Sequence, residues 1–212
     1  MNPEKLQYGK FYHIYSHGVG NRNMFKEAEN YAFFLHLYDK HIFPVADTYA
    51  WVLMPNHVHF VVRIKSEDEI VAFISDTSDR VRNSDRGKND KPIKIGTPSQ
   101  QFAKLFNAYA QSFNKWIKAR GPLFERPFKR KQVDNIHYLK KLVLYIHNNP
   151  VRHGFCEHPL EYPWSSYLSC ISVKPTKLKR DETIGWFDTE ANFNTAHGEK
   201  MDFRDLENWL EF

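Results

Sequence analysis

The chain has 212 residues, 42% of them hydrophobic and 16% aromatic, enough apolar material for one sizeable packed domain with appendages and against global disorder. No apolar run approaches the roughly 18 residues of a membrane span, and the N-terminus MNPEKLQYGKFYHIY lacks a signal-peptide layout, so a cytoplasmic protein with no membrane partner is expected. The formal net charge of +5 is concentrated: Lys104 to Arg152 holds 11 Lys and Arg against Glu125 and Asp134, while the remainder has 19 basic against 23 acidic residues, the pattern of a nucleic-acid-binding middle.

Residues 10–17, KFYHIYSH, are aromatic and β-branched without a breaker and predict a strand. A loop follows at 18–23, GVGNRN. Residues 27–42 place Ala28, Tyr31, Phe34, Leu35, Leu37 and Tyr38 at helical spacings. Strands are predicted at 48–55, closed by Pro55, and at 57–65, close enough to pair antiparallel. A short helix at 67–75 precedes a polar stretch, 76–98, read as a mobile insertion loop. Residues 99–120 carry Phe102, Leu105, Phe106, Tyr109, Phe113, Trp116 and Ile117 on a 3.6-residue period and predict a long helix stopped by Gly121. A basic strand around 128–134 leads to a helix at 136–149, ended or kinked near Pro150. Residues 158–172 read as irregular, with YPWSSY as an aromatic staple, and a last short helix is predicted from about 203 to 211. Cys156 and Cys170 lack a zinc or redox motif and read as ordinary thiols. Strand, helix, strand, strand, helix, strand, helix is a split βαβ order. It predicts an α+β, ferredoxin-like domain, an antiparallel sheet with helices mainly on one face and a site on the other.

Two local patterns bear on chemistry. In His57-Val58-His59, at the start of a strand, both imidazoles share one face while Val58, Phe60 and Val62 share the other. Imidazoles one pleat apart can chelate a divalent cation if a third ligand arrives from elsewhere. The spacing alone favours a packed or surface pair over a metal site, as it does for His13, His17, His147 and His153. On a wheel of 136–149, Leu142, Ile146, Leu139 and Val143 form an apolar stripe, with Tyr145 and Asn149 side by side at its flank and Tyr138 two turns away. A tyrosine beside an amide there can pair a nucleophile with a ligand, or can simply be an amphipathic packer.

Taken together, YHIYSHGVGNRNMF at 12–25, WVLMPNHVHFVV at 51–62, GPLFERPFKRKQV at 121–133, YLKKLVLYIHNNPVRHGF at 138–155 and YPWSSY at 162–167 resemble the REP-associated tyrosine transposases, a group of single-tyrosine HUH transposases. The resemblance covers roughly residues 8–170. It implies a catalytic domain at 1–172 and a C-terminal extension at 173–212, with His57 and His59 as the metal-binding pair, Asn149 as third ligand and Tyr145 as nucleophile. The implied cofactor is Mg²⁺ or Mn²⁺, and the partner is single-stranded or hairpin DNA, cut and rejoined through a 5′-phosphotyrosine.

Lys129, Arg130, Lys131, Lys141 and Arg152 are the candidate phosphate contacts, with Arg22 a weaker one and Lys140 pointing away from Tyr145. Phe124, Phe128 and Trp116 could stack bases or pack in the core. A relaxase or replication-initiator nickase, a catalytically silent nucleic-acid-binding module and a metal-dependent hydrolase are the alternatives. Monomer and homodimer are both left open.

Overall fold

A computed structural model describes residues 5–83, 95–199 and 202–210. Strands β1 (Phe11–His17), β2 (Ala46–Leu53), β3 (His57–Ile64) and β4 (Lys129–Gln132) form one antiparallel sheet in the order β2-β3-β1-β4, the arrangement of the expected ferredoxin-like α+β class. Side chains alternate along the strands. Tyr12, Ile14, Val58, Phe60 and Val62 therefore meet helices α1 (Ala28–His41) and α3 (Pro98–Trp116) in one core. Phe34 and Tyr38 of α1 stack on Phe60 at 6.2 and 4.7 Å between ring centroids.

The opposite face is not left open, as the sequence reading supposed. Helix α4 (Ile136–Arg152) docks there, and its Leu139, Leu142, Val143 and Ile146 share a second core with Ala50, Val52 and Val61. Strand β2 serves both cores by alternation, and a β-bulge changes its phase. The register shifts between Thr48 and Ala50, so Ala46 precedes the bulge and Leu53 follows it on the α1 side, while Tyr49, Ala50 and Val52 face α4.

Local chemistry sets the helix limits. The Asn30 side chain accepts from the backbone N–H of Lys26 and Glu27 to start α1. Thr97 and Gln100 cap α3 reciprocally, with Pro98 at its first turn. That helix ends at Trp116, short of the predicted residue 120. Lys118 turns into the left-handed region (φ 52°), and Asn114 Nδ2 donates to Gly121 O at 2.8 Å.

Helix α2 (Glu67–Asn83), capped by Ser66 and Glu69, runs well past the predicted end at 75, so residues 76–83 are helical rather than loop. Of the expected insertion loop, 84–94 lies outside the described residues. Asn135 caps α4 by accepting from His137 N–H at 2.7 Å. The helix passes through Pro150 to Arg152 instead of ending there, because Pro150 lies in the last turn and costs only the bond to Ile146 O.

The aromatic segment 162–167 is less irregular than predicted. Leu53 N–H donates to Trp164 O, Ser166 N–H donates to Trp51 O, and Trp164 stacks on Tyr31 at 4.6 Å. It thereby lines the outer margin of β2, before the short helix α5 (Tyr167–Cys170). Beyond it lie α6 (Arg180–Gly185), α7 (Glu190–Gly198) and the expected last helix, α8 (Arg204–Leu210). Phe193 of α7, Leu206 of α8, and Phe187 and Phe203 from the connecting segments pack into the second core, which also buries Leu144 of α4. Among the described residues no helix is long and apolar enough to cross a membrane.

Candidate active site

The register between β1 and β3 pairs His17 with His57 and Tyr15 with His59. Together with His13 these five rings share the α4 face of the sheet. His13 and His59 lie parallel, with Nε2 of the first 2.9 Å from Nδ1 of the second.

A tight loop fixes the neighbouring asparagine. Gly18 N–H donates to Asn56 O at 2.8 Å, and Met24 and Phe25 donate to Pro55 O. A Cβ on Gly18 would stand 2.0 Å from Arg22 O, so only glycine fits that turn. Asn56 Nδ2 donates in turn to Asn21 Oδ1, which leaves Asn56 Oδ1 to accept from His57 Nδ1–H at 2.8 Å.

With the proton on Nδ1, a neutral His57 has its lone pair on Nε2, and Asn149 Oδ1 is only 2.8 Å from that atom. Two acceptors at this distance repel unless something positive lies between them. His57 is poorly suited to carrying the charge itself: burial pushes its pKa down to about 4, against the raising effect of Asn149. Burial lowers His59 well below the ordinary histidine range, and His13 to about 3. Asn149 is fully buried, and among the described residues its Nδ2 has no hydrogen-bond partner.

A carbonyl turned toward His57 Nε2, with the amide nitrogen directed elsewhere, is an orientation compatible with a metal ligand. The separation also suits two adjacent ligands of an octahedral cation, which stand about 3 Å apart. Among the described residues no three His, Cys, Asp or Glu side chains form a metal-holding group, so two imidazoles would have to be completed by this amide. Two imidazole nitrogens and an amide oxygen are a donor set that fits a divalent cation.

Tyr145 is 4% exposed, and its ring meets His59 edge-on with centroids 5.6 Å apart. The helix periodicity that pairs Tyr145 with Asn149 also brings Arg152 to the same side, but only because α4 survives Pro150. The Arg152 guanidinium lies 4.9 Å from the Tyr145 ring centroid and 5.3 Å from that of Phe203. A cavity of about 350 Å³ joins Tyr145, His57 and His59 to His17, Asn21, Asn56, Arg152 and His153.

The remaining basic residues divide by strand alternation. Lys129 is exposed, with Nζ 5.7 Å from the Tyr15 ring, and Lys131 shares its face but donates to Trp209 O at 2.5 Å. Arg130, paired with Ile14, points to the other side, 3.9 Å over the Phe128 ring and 3.1 Å from Ser99 Oγ. The sheet separates it from Tyr145. Lys141 is half-buried on α4, and Arg22 is half-buried in the loop after β1, beside but not in the cavity. Lys140 lies 5.8 Å from the Phe187 ring, turned toward the tail. Phe124 is buried in the first core, whereas Trp116 is exposed.

His13, His17, Asn21, Asn56 and His153 belong to the site without having been chosen from sequence as its members. His17 meets His57 through the β1–β3 register, which local periodicity does not reveal.

No protein-family model matches the chain, and no curated protein matches it by sequence closely enough to count as a relative. Among solved structures, the chain is similar to a REP-associated tyrosine transposase bound to a REP hairpin. The TM-score is 0.55 at 15% identity, covering 82% of this chain and 88% of that one. At that identity the likeness is one of fold.

Proposed function

We propose that this chain is a metal-dependent single-stranded DNA transesterase of the HUH single-tyrosine kind, cleaving and rejoining DNA at hairpin or repeat sequences through a 5′-phosphotyrosine. The observation that carries this reading is the meeting of Tyr145, His57 and His59 around one cavity, with buried Asn149 Oδ1 2.8 Å from His57 Nε2, from helix and strand positions far apart in the chain. The similarity in fold to a transposase bound to a DNA hairpin supports the choice of partner.

His57 through Nε2, His59 through Nε2 (its Nδ1 faces His13) and Asn149 through Oδ1 would hold the cation. When bound, Mg²⁺ or Mn²⁺ supplies charge that polarises the scissile phosphate. A tyrosine hydroxyl has an ordinary pKa near 10 and attacks poorly unless assisted. The Arg152 guanidinium beside the Tyr145 ring favours negative charge developing on the phenol oxygen.

The bond formed joins Tyr145 Oη to phosphorus, and the bond broken releases the 3′ oxygen. The phenol loses a proton and the departing 3′ oxygen gains one. The covalent link retains the phosphodiester energy, so attack by another 3′-hydroxyl rejoins DNA and regenerates the tyrosine. Arg152, which lines the cavity, and exposed Lys129, beside Tyr15 on the same sheet face, are the assigned phosphate contacts, with Lys141 and Arg22 as further ones and Lys131 held by Trp209 O.

The test is a labelled hairpin-bearing single strand incubated with the protein and Mn²⁺. A protein–DNA adduct surviving denaturation is expected, and it should disappear in Tyr145→Phe. Cleavage persisting in that variant removes Tyr145 as nucleophile. Retained DNA binding without cleavage or adduct favours the silent binding module.

A further inference from the structure

A second, larger cavity of about 560 Å³ lies on the other side of the sheet from Tyr145, between the outer face of α3 and the segment 121–130. We infer that it takes an unpaired nucleobase of the same single strand, held between the Phe128–Arg130 stack and α3. The inference rests on the single-stranded DNA reading and adds a base-binding subsite to it.

The shape is the first argument. Ala103 and Ala110 give α3 a low wall, and Phe106 and Phe124, edge-to-face at 4.9 Å, close the bottom. Phe128 is half-buried and carries the flat Arg130 guanidinium 3.9 Å from its ring centroid, with Ser99 steadying the same group. A planar cation stacked on an aromatic ring is a surface on which any base can lie.

The polar groups supply the second argument. Asn107 and Gln111 are both exposed, four residues apart on one helix, and line the cavity. Carboxamides offer a donor and an acceptor together, which matches the edge of a base better than it matches a phosphate or an aliphatic side chain. Arg126, 2.8 Å from Asn107 Oδ1, is held at the rim as a backbone contact. Glu125 is the single acid among the lining residues, against Arg126 and Arg130.

Continuity with the catalytic cavity is the third argument. The segment that walls the groove is clamped to the end of β1: Val19 N–H donates to Leu123 O at 3.0 Å, and Glu125 N–H to His17 O at 2.8 Å. His17 itself lines the cavity around Tyr145. The two cavities thus flank one backbone junction, across which a bent strand can pass. Arg130, stranded from Tyr145 by the sheet, thereby acquires a different role from the phosphate contact expected of it.

The test compares an unpaired oligothymidine with an abasic strand of equal length, both end-labelled, by anisotropy with the full chain. Wild type should bind the base-bearing strand about tenfold tighter or more. Asn107→Ala/Gln111→Ala, at exposed helical positions that alanine favours, should lose most of that ratio, while the release of Arg126 from Asn107 weakens both strands alike. Equal binding of the two strands by wild type, or an unchanged ratio in the double variant, overturns the assignment.

A measurement on wild type alone guards against a damaged variant. Photo-crosslinking of 5-iodouracil in the strand should mark the peptide containing Phe124 and Phe128, and marking only elsewhere also overturns it. The phosphotyrosine assay run alongside separates the two readings: base-dependent binding without an adduct defeats the transesterase and spares the groove, while an adduct without base dependence does the reverse.

Discussion

Asn149 offers the sharpest test of the cation site, because a ligand and a structural hydrogen-bonding residue respond oppositely to Asn149→Leu. If the 2.8 Å contact with His57 were an ordinary buried hydrogen bond, losing it would strand His57 Nε2 and cost about 1–3 kcal/mol. If Nε2 and Oδ1 are two acceptors awaiting a cation, no hydrogen bond is lost. The stranded Nδ2, itself a burden of about 1–3 kcal/mol, is replaced by a side chain of similar size that needs no partner. The variant should then lie within about 1 kcal/mol of wild type without metal, a shift of at most roughly 4 °C in melting temperature for a chain of this size.

Mn²⁺ at a hundred times its dissociation constant stabilises the native state by about 2.7 kcal/mol, or roughly 5–10 °C. Wild type should show this rise in a thermal melt, and Asn149→Leu should show little of it. A variant that melts far lower without metal, yet keeps the full Mn²⁺ response, would refute the ligand assignment.

Three further outcomes follow from the same geometry. His13→Leu, which removes the partner of His59 Nδ1, should raise the Mn²⁺ concentration needed for half the thermal shift by 10- to 100-fold; an unchanged midpoint makes His13 a packing residue only. Gly18→Ala should destabilise the chain by at least about 2 kcal/mol in a denaturant melt and abolish the Mn²⁺ response, since the added carbon meets Arg22 O and displaces the loop that holds Asn56; a wild-type melt refutes this.

The third concerns acid. Ser166, His147, His197 and Phe193 O form a buried hydrogen-bond chain that is complete with both imidazoles neutral, and burial holds His197 down to about 4. A folded pKa below the unfolded value of about 6.5 means this contribution is intact above pH 6.5 and is lost as pH falls toward 4, at about 1.4 kcal/mol per pH unit for the one group. His197→Gln should flatten the stability–pH slope in that window, and an identical slope would show that other groups govern it.

The sequence exposed those parts of the site that depend on local periodicity. Strand alternation put His57 and His59 on one face, and the wheel of α4 put Asn149 beside Tyr145. Long-range pairing was hidden. His17 and His57 are brought opposite one another by a register between strands forty residues apart, and nothing in either string specifies it.

The covering of the second sheet face was missed for a related reason. The wheel showed one apolar stripe on α4, but Leu144 also needs burial, and the partners that bury it come from α6 to α8, some too short to print a period. Pro150 misled for a third reason. A proline in the last turn forfeits one hydrogen bond, whereas the packing of α4 against the sheet runs along its whole length, so tertiary contacts outweigh the local rule. Arg152 reaches Tyr145 only through that override.

The margins of the sheet bear on how the chain behaves when crowded. On one side the backbone of β2 is occupied by Trp164 and Ser166, so it has little left to offer an invading strand. On the other, β4 is only four residues long and reads Lys-Arg-Lys-Gln, a row of like charges that repels its own copy. Fibril-like growth by strand addition is therefore discouraged at both borders, and of the two lysines Lys129 is the exposed one, while Lys131 is held by Trp209 O.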